Sequence, residues 1–114
     1  MEIIQSTPQT TIAKLNDRFR QGDHSLGKIC TTQAVNSLPS ADQQELFRLL
    51  RTFNDFTPGN DPYGEHDFGS IEFQGETYFF KIDYYDKSLR YGTEDPSDPA
   101  KTTRVLTLMH SREY

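Results

Sequence analysis

Asp61, Glu65, His66 and Asp67 fall within seven residues of one another, in the stretch Asn60-Asp-Pro-Tyr-Gly-Glu-His-Asp67. Carboxylates and an imidazole are the donor types that hold divalent cations. The spacing lacks the alternating pattern of a calcium loop, and there is no His-x-x-x-His pair for zinc. A second reading therefore stands beside the metal one: Asn60 and Asp61 form an Asx turn, and Pro62 and Gly64 shape the chain before a strand. On the metal reading the expected ligand set is Asp61, Glu65, His66, Asp67 and Asp83. Lys81 would stabilise developing negative charge there, which describes a metal-dependent hydrolase or nuclease.

A second group is Tyr84, Tyr85, Asp86, Tyr91, Glu94, Asp95 and Asp98. Tyrosines set among carboxylates suit a protein-binding surface, where rings supply contact area and acids select a basic partner. The competing reading makes Asp95-Pro96 and Asp98-Pro99 turn chemistry alone. Arg104 is placed to neutralise one of these acids. Cys30, the one cysteine, has only Lys28 nearby to activate it and is expected as a small core residue. His24 and His110 stand alone.

Charge separates the chain into two parts. From Asn54 to Pro99 eleven acids face three bases, a balance of −8, whereas the remainder carries +3 and the whole −5. Such a field repels nucleic acid and attracts basic protein surfaces or metal ions. The expectation is a protein partner with a basic surface, no direct nucleic-acid contact and no cofactor, a divalent ion being the alternative. No run of 18 apolar residues spans a membrane. The start Met-Glu-Ile-Ile-Gln-Ser lacks the pattern of a signal peptide. With a single cysteine, these features predict a cytoplasmic protein.

The elements that must position these groups follow from periodicity. The first seven residues suggest a frayed lead-in or a short edge strand. Ile12, Leu15 and Phe19 recur at helical spacing after a cap at Thr10 or Thr11, and Gly22 stops the helix. Leu26 to Thr32 has strand propensity, and Gln33 to Leu38 suggests a turn. Ser40, with Gln43 completing a capping box, starts a helix with the stripe Leu46, Phe47, Leu49, Leu50 and Phe53. Gln74-Gly75 is a hairpin turn. Its register sets Phe73 opposite Glu76, Ile71 opposite Tyr78, Gly69 opposite Phe80 and Asp67 opposite Ile82. Ile71, Phe73, Tyr78, Phe80 and Ile82 then share the core face. The other face sets Phe68 against Lys81 and His66 against Asp83, half of a general-base arrangement; the competing reading is a surface or semi-buried polar network with Phe68 and Lys81 in cation–π contact. Leu89 to Gly92 suggests a short strand. Thr102 to His110 predicts a final strand, an amphipathic helix being the alternative. The expected fold is therefore α+β in a single domain. A small antiparallel sheet with a central hairpin (67–73, 76–85) and a C-terminal strand is packed by two helices, about 11–20 and 41–54.

Four segments carry a resemblance: Asn60-Asp-Pro-Tyr-Gly-Glu-His-Asp-Phe-Gly69, Lys81-Ile-Asp-Tyr-Tyr-Asp86, Glu94-Asp-Pro-Ser-Asp-Pro99 and Thr103-Arg-Val-Leu-Thr107. With Ile12 to Arg20 and the closing Glu113-Tyr114, they resemble a family of small bacterial proteins catalogued as a domain of unknown function. The chain departs slightly at Phe79-Phe80, an aromatic pair that in the family often includes Trp. The resemblance implies no catalytic residue. It implies a setting on plasmids and other mobile elements, near anti-restriction genes. Joined to the charge balance, this predicts a small acidic protein-binding module that inhibits a host nucleic-acid-targeting defence complex. Such a module, anti-CRISPR or anti-restriction, would act by occupying a basic surface.

Overall fold

The computed structural model describes residues 8–114, so the expected lead-in at residues 1–7 lies outside the described residues. Helix α1 is Pro8–Arg20, longer at its start than the cap at Thr10 or Thr11 implies. Pro8 suits a first helical turn because its fixed φ is already helical and its missing N–H has no acceptor there. Strand β1 is Gly27–Thr31. Helix α2 is the single turn Gln33–Asn36, within the stretch Gln33 to Leu38 expected as a turn. Helix α3 is Ser40–Thr52, β2 is Phe68–Phe73, β3 is Glu76–Tyr85 and β4 is Thr103–His110.

The fold is α+β with a four-stranded mixed sheet in the order β1-β4-β3-β2. The two pairs β2–β3 and β3–β4 are antiparallel, and β1 joins the edge of β4 in parallel. The hairpin register is the expected one: Phe73 faces Glu76, Ile71 faces Tyr78 and Gly69 faces Phe80. Beyond it, the Ile82 amide donates to the Asp67 carbonyl at 2.8 Å. Gln74 and Gly75 both take positive φ, 52° and 76°, as a two-residue turn that follows the strand twist requires.

The inward face holds Ile71, Phe73, Tyr78, Phe80 and Ile82, joined by Leu106 and Leu108, against Leu15 and Phe19 of α1 and Leu46 and Leu50 of α3. Phe80 and Phe53 meet edge to face at 5.2 Å. They fit because the strand opposite Phe80 carries Gly69, where a Cβ would lie 2.3 Å from the Phe80 ring and 2.7 Å from Phe53.

Four local expectations are corrected. Helix α3 has no capping box: Pro39 is the cap without a side-chain bond, and the Gln43 amide donates backwards to the carbonyls of Asn36 and Leu38. An amide NH2 satisfies carbonyls left open at the end of α2 as readily as its oxygen satisfies an amide. Leu89 to Gly92 forms a turn with Leu89 at φ 61°, paired to the sheet by the isolated Tyr85–Gly92 bridge rather than as a strand. Cys30 is exposed, because β1 alternates and turns Ile29, not Cys30, toward the core. His110 is not isolated. It is buried, with Nε2 3.1 Å from Glu76 and Nδ1 accepting from the Arg112 amide.

Candidate functional site

The segment 60–67 is held by its own polar groups. Asn60 Oδ1 accepts from the Thr57 amide at 2.8 Å. The Asp61 carboxylate accepts from the amides of Glu65 and His66 at 3.2–3.4 Å. Gly64, at φ 66°, and His66, at φ 59°, turn the chain between them. The positive φ at His66 is uncommon for a residue with a side chain, and it breaks the strand register before Asp83. The inferred His66–Asp83 pair therefore does not form. Instead Asp83 pairs with Lys81 at 3.1 Å, and Phe68 packs on Phe79 and Tyr114 at 5.2 and 5.8 Å.

His66 turns toward helix α1. Its Nδ1 lies 2.9 and 3.0 Å from the two Asp17 oxygens, its Nε2 lies 3.7 Å from Asp61, and its ring stacks on Phe56 at 3.9 Å. Asp17 also takes the Arg20 guanidinium at 3.0 Å.

Glu65 and Asp67 belong to a different group. The Tyr84 hydroxyl lies 3.4 Å from Glu65 and 3.3 Å from Asp67 and accepts from the Asn16 amide at 2.8 Å. One phenolic hydrogen thus serves two carboxylates. Burial, with Asp67 adding its charge, pushes the Glu65 carboxyl above its ordinary value. Burial, reinforced by Asp61 and Asp83, does the same to Asp67. The Tyr84 hydroxyl is pushed far above the usual phenol range, chiefly by burial.

The five candidate ligands therefore fall into three sets: Asp61 with His66, Glu65 with Asp67, and Asp83 with Lys81. Among the described residues no three His, Cys, Asp or Glu side chains converge as a metal cage.

Arg104 connects this cluster to the acidic loop. It is fully buried in β4, between Tyr84 and the loop. Its Nε donates to Asn16 Oδ1 at 2.7 Å, its Nη2 donates to the Pro96 carbonyl at 2.6 Å, and its guanidinium covers the Tyr84 ring at 5.4 Å. Among the described residues no carboxylate is its partner, contrary to the expected neutralisation, and Nη1 is buried without a hydrogen bond. Burial draws its pKa down. Asn16, Asp17 and Arg20 were not among the expected site residues. A signal for two of them existed: Asn16 and Arg20 follow Ile12 at intervals of four, on the buried stripe of α1. Asp17 meets His66 across 49 positions, with no local signal.

In the second constellation Tyr84 is not a surface residue, because period-two alternation along β3 turns it inward, onto Asn16 and Arg104. The acids after it do turn chemistry. Asp86 accepts from the amides of Ser88 and Arg90 and from the Ser88 hydroxyl. Asp95 accepts from the Ser97 amide and hydroxyl, and Asp98 from the Ala100 amide. The serine bonds hold the Asp86 and Asp95 carboxyls below their ordinary range. Thr102 fastens the loop by donating to the Asp95 carbonyl at 2.9 Å. Tyr91 is 71% exposed and Glu94 is exposed. With Asp86, Gly92, Thr93 and Lys101 they line a concavity of about 510 Å³.

No helix among the described residues is long and apolar enough to cross a membrane. No curated protein and no solved structure matches the chain. A family model described as a protein of unknown function, DUF3768, matches residues 31–113. That span takes in the segments 60–69, 81–86, 94–99 and 103–107, and leaves Ile12 to Arg20 outside it. The match covers well over half of the chain, which therefore belongs to this family of proteins of unknown function.

Proposed function

We propose that the protein is a non-enzymatic binding module whose 85–101 lobe docks on a basic protein surface. The observation that carries this reading is the pairing of exposed Tyr91 and Glu94 with a loop whose acids are already fixed by their own backbone. A preformed acidic loop loses little conformational freedom on binding, so more of its contact energy appears as affinity. Tyr85, Asp86, Asp95 and Asp98 supply the surrounding surface, and the anchoring of Pro96 by Arg104 keeps it rigid. The division of Asp61, Glu65, His66, Asp67 and Asp83 into three separate sets favours a structural role for them over hydrolysis.

The partner class is a nucleic-acid-targeting defence complex, of the CRISPR or restriction type, whose basic surface otherwise holds phosphates. The acidic field of the 54–99 segment competes for that surface. The test is a pull-down against purified nuclease complexes at about 0.1 M and about 1 M salt, where the Debye length falls from about 10 Å to about 3 Å. Capture is expected at low salt only, and is expected to be lost with Tyr91→Ala and Glu94→Lys. Capture that ignores both salt and Glu94→Lys rules the reading out.

A further inference from the structure

A second concavity, of about 390 Å³, opens where the ends of α1 and α3 part above the core-facing side of β1. It shares no residue with the 85–101 lobe. Its floor is apolar: Leu50 is fully buried, and Ile29 and Phe47 are half-buried. Its polar lining is Arg20, Arg51, His24 and Thr31, and none of its lining residues is acidic. In a chain of net charge −5, two arginines without an acid in the lining run against the overall balance.

Arg20 and Arg51 stand in the last turns of their helices, where cations offset the helix dipole. That placement accounts for their charge but leaves two features unexplained. Arg20 is 2% exposed and its Nε is buried without a hydrogen-bond partner, although its other nitrogens reach Asp17 and the Phe53 carbonyl. A buried donor left open is costly, and the guanidinium that carries it lies over the Phe56 and Phe80 rings at the edge of this pocket. Arg51 is exposed, and among the described residues no carboxylate pairs with it. A planar guanidinium is suited to bidentate carboxylate recognition, and an apolar floor with few polar groups is the general make-up of a small-molecule site.

We infer that this pocket binds a small organic carboxylate, with its apolar body on Ile29, Phe47 and Leu50 and its carboxylate between Arg20 and Arg51. The volume admits a ligand of about ten heavy atoms, such as a medium-chain or arylalkanoic acid.

The test is a chemical-shift titration of the full chain with octanoate and 3-phenylpropionate, run beside the neutral amides octanamide and 3-phenylpropionamide. Saturable shifts at Ile29, Phe47 and Leu50 are expected, with a dissociation constant of about 1 mM or below. The amides are expected to bind about tenfold more weakly, through loss of the charge-assisted contact. Arg20 is buried and its replacement endangers folding, so the exposed Arg51 carries the mutational arm. Arg51→Gln is expected to weaken octanoate about five- to tenfold while leaving the amides unchanged. Equal binding of acid and amide, an unaffected Arg51→Gln, or no saturation below about 10 mM overturns the proposal.

Discussion

Replacing Arg104 by methionine tests whether a buried cation held by an amide and a carbonyl is an asset to this fold. Methionine keeps most of the apolar stem and removes the charge. Two acceptors then lose their donors: Asn16 Oδ1, on a fully buried residue, and the Pro96 carbonyl. Each stranded acceptor costs about 1–3 kcal/mol. The guanidinium's contact with Tyr84 adds about 1 kcal/mol more. Against this, methionine removes a charge that burial disfavours, a desolvation penalty that the two hydrogen bonds and the Tyr84 ring already offset in large part. The balance is a loss of about 3 kcal/mol, read as a fall in urea midpoint at unchanged slope and a drop of roughly 10–15 °C in thermal midpoint. Hydrogen exchange is expected to rise at the amides of Ser97 and Ala100, because the loop loses its anchor. An Asn16→Ala, Arg104→Met cycle is expected to show a coupling of about 1 kcal/mol or more. If Arg104→Met is as stable as the parent, the guanidinium is a net burden, and the role assigned to it as a strut for the acidic loop is wrong.

Gly69→Ala places a methyl within 2.3–2.7 Å of the Phe80 and Phe53 rings and is expected to cost about 3 kcal/mol by overpacking; thermal unfolding measures it, and a shift of under a degree contradicts the packing account. Asp67→Asn probes the carboxylate pair around Tyr84. A carboxyl whose folded-state pKa is raised contributes stability below its ordinary pKa and loses it as pH rises through the folded value. Asp67→Asn is therefore expected to be more stable than the parent at pH 7 and equal to it near pH 3, in paired urea titrations; a difference that is flat with pH removes the burial argument.

Local rules recovered much of the fold. The hairpin, its turn residues and its register follow from Gln74-Gly75 and the alternation on either side, because partners close in sequence leave few competing pairings. The apolar stripes of α1 and α3 were legible for the same reason. Where local signals failed, a longer-range group had taken over the polar atom in question. Gln43 serves the end of α2 rather than its own helix, and His66 leaves the strand register for Asp17.

By itself, then, the sequence determined the class of fold, the identity of the core face and the concentration of acid between Asn54 and Pro99. The tertiary structure decided the partner of each polar residue. It set Tyr84 against Asn16 and Arg104, separated the candidate metal ligands into three sets, and placed Arg104 between Asn16 and the acidic loop. It also gathered Arg20, His24 and Arg51 around one apolar floor. Periodicity reports which face of an element is buried, but not what lies opposite. The contacts of Asn16 with Tyr84 and Arg104 close loops of 68 and 88 positions, and only the packed arrangement of helix, sheet and loop fixes which groups meet there.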